Sequence, residues 1–248
     1  MATDETRTPR FEATAEPPEI ETLVLGFSEY GLAGLTAVDY LIDQLSMTQV
    51  GHLEAGGPPL ITPFENGVPR HHTRVYAHAE TSLGVVISER FVPVPTAEAF
   101  ADAVDALYAE LEPSNLTILS GVPVAHGPED HVPFYIATED YRDRYLADTD
   151  VRSMGTGFLD GVTAELVSRG IEDDERPVGV FTTPAHPQAP DAAAAIRLVD
   201  ALVRTHSIEV DTEPLEAFAA NVEAQYRALA ERIEAAEAEA TPDDRMYM

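Results

Sequence analysis

Apolar residues recur at two spacings along the chain, and each spacing predicts one type of element. Apolar and β-branched runs predict strands at 21–26, 48–54, 73–80, 83–90, 115–122, 134–137 and 178–182. Apolar residues three and four positions apart predict helices at 32–46, 97–112, 139–147, 158–169, 191–205 and 213–239. Because strands alternate with helices, we expect an α/β fold: a central, mostly parallel sheet flanked by helices, with a helical C-terminal layer. The spacer Thr81-Ser82 predicts a hairpin, which makes the sheet mixed.

The same pattern divides the chain into four segments. Residues 1–18 are polar and rich in Pro, Thr and Glu, which predicts a disordered lead-in. One α/β domain is predicted at 19–205, a C-terminal helix at 206–240 and a flexible tail at 241–248.

The N-terminal residues have no apolar signal-peptide core. No run of about 18 apolar residues predicts a membrane span. We therefore expect a cytoplasmic protein that binds no membrane.

Charge narrows the classes of partner. The chain has 44 Asp and Glu against 15 basic residues, a net charge of −29 at pH 7, and every basic residue is Arg. At 1 M salt the Debye length is about 3 Å, so repulsion among carboxylates is screened. The composition therefore predicts adaptation to molar salt, and a surface that attracts a basic partner is the alternative interpretation. Without a basic patch to neutralise phosphates, no nucleic-acid partner is expected.

The sequence contains no Cys and no Lys, and this excludes several kinds of catalytic and metal-binding site. A chain with no Cys has no disulfide, no thiolate metal site and no Cys nucleophile. A chain with no Lys cannot form a Schiff base or a P-loop. His71 and His72 form a pair, with His78 on the strand that follows, but no H-E-x-x-H accompanies them. We therefore expect no metal, no cofactor and no catalytic group from these patterns.

A glycine-rich turn follows the first predicted strand. Its glycines, at 26, 31 and 34, lack the dinucleotide fingerprint and favour a tight strand-to-helix turn. Ser28 and Glu29 lie in this turn, His52 ends the next strand, and Gly56 follows it. These four residues would line a crevice at the sheet. An enzyme that acts on a nucleoside-like or ATP-dependent substrate is thus an alternative function, and a small-ligand sensor is a third.

The sequence ends in Met246-Tyr247-Met248. A hydrophobic residue, then Tyr, then any residue with a free carboxylate resembles the HbYX docking motif of proteasome activators. Tyr247 supplies a large apolar ring with a hydroxyl group. The terminal carboxylate can be captured by hydrogen-bond donors and a cation. The tail therefore predicts a docking peptide.

Longer segments resemble one family. VLGFSEYGLAGLTAVDYLI, VGHLEAGGPPLITPFENGVPR, MGTGFLDGVTAELVSRGI and VGVFTTPAHPQAPDAAAAIRLVDAL look like the proteasome assembly chaperone family with its archaeal members. The resemblance covers roughly residues 20–205. It implies a sheet reminiscent of nucleoside phosphorylases, a homo-oligomer, and binding to the α-subunits of the 20S proteasome as an assembly chaperone or ATP-independent activator. Met246, Tyr247 and the carboxylate of Met248 would make the contact. The acidic, Lys-free composition resembles proteins of salt-loving archaea.

Overall fold

A computed structural model gives the fold, and it describes residues 9–55, 61–124, 127, 130–186, 190–217 and 219. The strands are β1 Arg10–Ala13, β2 Thr22–Phe27, β3 Thr48–Glu54, β4 Phe64–Glu65, β5 Val68–Pro69, β6 Thr73–His78, β7 Leu83–Ser88, β8 Asn115–Val122, β9 Phe134–Ala137, β10 Arg152–Ser153 and β11 Val178–Pro184. The helices are α1 Ala33–Gln44, α2 Ala97–Leu111, α3 Glu139–Tyr145, α4 Gly161–Glu172 and α5 Ala192–His206.

Nine of these strands form one sheet in the order β1-β3-β6-β7-β2-β8-β11-β9-β10. Its centre, β7-β2-β8-β11, is parallel. On either side, β6 and β9 run antiparallel to their inner neighbours. All six residues of β2 are buried, as expected for a central parallel strand covered on both faces. The predicted α/β class with a mixed sheet is confirmed.

Helices cover both faces of the sheet. Val24 packs in one core with α1 and α5, whereas the next residue, Leu25, packs in the other core with α2 and α4. Successive strand residues point to opposite faces, so a continuous apolar strand supplies both cores. The carboxyl ends of β7, β2, β8 and β11 meet at one edge of the sheet, called here the carboxyl edge.

The first departure from the sequence pattern lies near the N-terminus. The disordered lead-in predicted at 1–18 is wrong for residues 10–13, because these form β1 and pair antiparallel with β3. Phe11 is buried there against Gly51, and a Cβ at Gly51 would lie 2.4 Å from the Phe11 ring. An edge strand with one large, buried apolar side chain carries too weak a periodic signal to be recognised in a polar segment.

Two further stretches differ in detail. The helix predicted at 158–169 begins at Gly161, because Gly161 has φ +60° and Phe158 is fully exposed before it. The predicted loop at 55–70 contains the short antiparallel pair β4–β5.

The last predicted helix does begin at residue 213 and buries Leu215. Its continuation beyond 219 lies outside the described residues. Among the described helices, none is both long and apolar enough for a membrane span.

Candidate functional site

The predicted docking residues Met246, Tyr247 and Met248 lie outside the described residues, as does Gly56. The other three residues of the predicted crevice, Ser28, Glu29 and His52, are all described. Ser28 and Glu29 come directly after β2, at the carboxyl edge, and both are half-buried. In open α/β sheets, ligands bind outside the carboxyl ends of parallel strands. The structure therefore places Ser28 and Glu29 where a ligand site is expected.

Glu29 contacts the neighbouring strand. The Ser120 hydroxyl, near the end of β8, donates a hydrogen bond of 2.9 Å to Glu29 Oε2. Burial raises the pKa of Glu29, the Ser120 hydrogen bond partly opposes this rise, and the charge of Asp160 adds to it. A carboxyl and a hydroxyl group fixed in this way can bind hydrogen-bond donors.

His52 does not join this group. It lies on β3, and β6 and β7 stand between β3 and β2. At about 4.8 Å per strand, the lateral separation is roughly 14 Å. The sequence order is misleading here, because the chain places a hairpin between β3 and the parallel centre of the sheet. The predicted crevice therefore has to be corrected to exclude His52.

His52 belongs to a different cluster at the outer strands. Its ring stacks on that of His71, with centroids 3.5 Å apart and an interplanar angle of 15°. Burial lowers the pKa of His52, and the neighbouring His71 lowers it further. Among the described residues, no group of three or more His, Cys, Asp or Glu side chains could hold a metal ion.

A buried ion pair beside the histidines was missed in the sequence. Arg74, on β6, is 1% exposed and binds Glu89 through two hydrogen bonds of 2.7 and 2.9 Å. Arg70 joins Glu89 at 3.2 Å and Glu65 at 2.5 Å, which ties the β4–β5 hairpin to the sheet. An Arg directly before the apolar run Val75-Tyr76-Ala77 was the signal for this pair, since a buried guanidinium needs a carboxylate partner.

A second missed pair lies at the carboxyl edge, after β11. Asp191 caps α5 by accepting a hydrogen bond of 2.9 Å from Ala194 N, and its other oxygen lies 2.7 Å from His186 Nδ1. Burial by itself would raise the pKa of Asp191, but the hydrogen bonds from His186 and Ala194 outweigh it and lower the pKa. The backbone N–H of Asp191 donates to Gly31 O at 2.8 Å, so this turn packs on the β2–α1 turn. Asp191 at a predicted helix start was the available signal.

One family model matches most of the chain, and several solved structures share its fold. The family model described as the PAC2 family matches residues 23–230. The crystal structure of Pyrococcus furiosus PbaA, an archaeal homolog of proteasome-assembly chaperone, matches at TM-score 0.80 and 20% identity, over 93% of this chain and 95% of that one. Pyrococcus furiosus PbaB, an archaeal proteasome activator, matches at TM-score 0.76 and 17% identity, over 90% and 99%.

A Mycobacterium tuberculosis proteasome-assembly chaperone homologue also matches, at TM-score 0.62 and 17% identity, over 90% of this chain and 97% of that chain. No curated protein shows a match to this sequence. At these identities the structural likeness establishes the fold. The likeness to nucleoside phosphorylases and the alternative of a crevice enzyme stay predictions.

Proposed function

Because this chain belongs to the PAC2 family, we propose that it is a non-catalytic proteasome assembly chaperone or ATP-independent activator that binds the α-ring of the 20S proteasome. The observation that carries the proposal is the family match over residues 23–230. It is supported by the likeness of the fold to PbaA and PbaB along almost their whole length.

We propose Met246, Tyr247 and the carboxylate of Met248 as the contact with the α-ring. Tyr247 would anchor the tail in an apolar pocket through its ring, and Met246 would pack beside it. The carboxylate would pair with a cation of the pocket. The chain would act as a homo-oligomer, so that several tails bind one ring and weak single contacts reinforce one another through effective concentration.

The test is co-elution with purified 20S proteasome in molar salt. We expect the full chain to co-elute, and the chain that ends at Arg245 and the Tyr247→Ala variant to elute separately. Tyr30→Ala is the matched control, because Tyr30 is an exposed tyrosine in the body of the fold. Co-elution that survives the loss of the tail would contradict the docking contact. If neither form co-elutes, the proteasome itself is not the partner.

Peptide hydrolysis by the 20S particle then separates the two roles. An activator raises the hydrolysis rate of the mature particle, and the rise depends on Tyr247. An assembly chaperone leaves that rate unchanged but increases the yield of α-rings from free α-subunits. Light scattering of the eluting complex gives the number of copies of this chain.

A further inference from the structure

The turn after β2, the ends of β8 and β11 and the start of α4 carry five polar side chains, which are called here the edge cluster: Glu29, Ser120, Asp160, Thr163 and Thr182. Ser120 binds Glu29 directly, with 2.9 Å between Ser120 Oγ and Glu29 Oε2. Thr182 lies opposite Ser120 in the parallel β8–β11 register. Paired residues of parallel strands point to the same face, so Thr182 faces the same side as Ser120.

Thr163 is buried on the face of α4 that also contains Gly170. Farther along α4, Gly170 packs on Val178, where a Cβ would lie 3.0 Å from the Val178 Cβ. Thr163 precedes Gly170 by seven residues, which is two helical turns on the same face and about 10.5 Å. That length corresponds to about three residues of strand. Because α4 packs against β11, Thr163 comes over the part of the strand near Phe181 and Thr182.

The two threonine hydroxyls are buried without a hydrogen-bond partner among the described residues. Thr182 is 1% exposed and Thr163 is 5% exposed. A buried hydroxyl that makes no hydrogen bond costs free energy, and such groups in native proteins commonly serve a ligand or an ordered water. The inner wall of the edge cluster therefore has unused hydrogen-bonding capacity.

The outer members carry negative charge. Asp160 is exposed and stands before α4 as its N-cap residue, but its side chain makes no capping hydrogen bond. Burial raises the pKa of Glu29, and Asp160 raises it further, while no cation of the described residues acts on it. Two carboxyl groups are thus held near each other without a neutralising partner in the described part of the chain.

We propose that the edge cluster binds the primary ammonium group of a small organic amine. An ammonium group brings three N–H donors and a positive charge. Glu29 and Asp160 would accept two of these donors, and the hydroxyl of Thr182 would accept a third. A neutral polyol would leave the two carboxylates unneutralised, and an anion would be repelled by them. Asp160 also offsets the positive end of the α4 dipole, which would otherwise disfavour a cation.

The test is isothermal titration of the full chain in molar sodium chloride with putrescine as the probe. We expect saturable binding of one putrescine per chain. The comparison ligand is putrescine methylated three times on each nitrogen, because it carries the same two positive charges without an N–H donor. Weak or absent binding of this methylated form supports the hydrogen-bonded site. Equal binding of the methylated form, or no binding of putrescine, overturns the proposal.

Variants locate the site. Thr182→Val keeps the side-chain shape and removes the hydroxyl, and Glu29→Gln removes one charge; each should weaken putrescine binding about tenfold or more. Glu110→Gln, at an exposed position on α2, is the control and should bind normally. If Glu110→Gln weakens binding as much, the attraction is only a general effect of negative charge and the proposal fails.

Two more measurements separate this inference from others. Magnesium ions that bind in place of putrescine, and are lost in Thr182→Val, would identify an inorganic cation site and overturn the ammonium assignment. The chain that ends at Arg245 should bind putrescine normally, since the edge cluster lies far from the tail in sequence and does not include it. Loss of amine binding on removing the tail would contradict the edge cluster as the complete site.

Discussion

At the scale of single residues, two glycines decide how closely α1 approaches the sheet. A Cβ at Gly34 would lie 2.0 Å from Leu119 O, and a Cβ at Gly26 would lie 2.4 Å from Gly34 O. Both neighbours are backbone atoms, which cannot move aside as a flexible side chain can. The glycines thus bring α1 into backbone contact with β2 and β8, and this contact fixes the turn that carries Glu29.

We expect Gly34→Ala to destabilise the fold. Alanine improves intrinsic helix propensity by about 1 kcal/mol. Overpacking commonly costs about 1–3 kcal/mol and more where the backbone must shift, so the clash should win. Urea unfolding in molar salt measures the difference. Gly155→Ala is the matched control, because nothing lies within 4 Å of its added Cβ. A Gly34→Ala protein as stable as the parent would show that α1 can move away from β8 without loss.

At the scale of elements, a closed ring of hydrogen bonds joins the end of α5 to the start of β2 and β8. With the proton on Nε2, His206 donates to the Tyr141 hydroxyl at 3.0 Å, and Tyr141 donates to Thr117 at 2.8 Å. Thr117 donates to Asn115 Oδ1 at 3.1 Å. Asn115 donates to Thr22 at 3.0 Å, and Thr22 returns the chain to His206 Nδ1 at 3.3 Å. Only a neutral imidazole closes the ring, since a protonated one has no acceptor.

This ring predicts a loss of stability in acid. Burial lowers the pKa of His206 from 6.5 to about 4. The unfolded chain therefore takes up this proton first. The contribution of neutral His206 to the free energy of unfolding is complete above pH 6.5 and is lost as the pH falls through about 4. The full loss of free energy of unfolding is roughly 3 kcal/mol.

The measurement is the free energy of unfolding of the parent and of His206→Gln between pH 7 and pH 4, in the same salt. The difference in free energy between the two proteins should shrink as the pH falls, because only the parent loses the contribution of His206. Contributions from carboxylates are common to both proteins and cancel. His78→Gln, on β6, makes the same exchange at a position outside the ring and is the control. A constant difference between parent and His206→Gln would show that folding does not lower the pKa of His206.

At the scale of the whole molecule, the net charge of −29 sets how stability depends on salt. Described ion pairs, such as Arg169 with Asp102 and Arg176 with Asp105, each join two segments, but acids outnumber bases along the whole chain. Self-repulsion in the compact state therefore remains at low salt. Molar salt screens it, since the Debye length falls from about 10 Å at 0.1 M to about 3 Å at 1 M.

We expect the melting temperature to rise between 0.1 M and 2 M potassium chloride. A rise of about 4 °C corresponds to roughly 1–2 kcal/mol in the free energy of unfolding for a chain of this size. We expect at least this rise in melting temperature, because the net charge is large. Scanning calorimetry measures it. Sucrose at matched osmolality is the control, because it favours the compact state without screening charge. An equal rise in sucrose, or no rise in salt, would contradict the electrostatic origin.

Local patterns in the sequence predicted most elements, and the reason is that they depend on near neighbours. Helical spacing placed α1, α2 and α5, and the Thr81-Ser82 spacer placed the β6–β7 hairpin. Where the local signal was weak, the prediction was wrong: β1 offers one large apolar side chain, and α4 begins at the left-handed Gly161 and not at residue 158. The candidate site was predicted only in part, since Glu29 was found without Ser120.

The sequence by itself determined the order and type of most elements, the charge and the chemistry of the last three residues, because each of these depends on consecutive positions. Only the tertiary structure decided which strands are neighbours. It brought Ser120 to Glu29 across 91 positions of the chain and placed β6 and β7 between His52 and β2. Periodicity reports which face of a strand is buried but carries no information on strand order. The edge cluster and the His206 ring could therefore be recognised only in the folded chain.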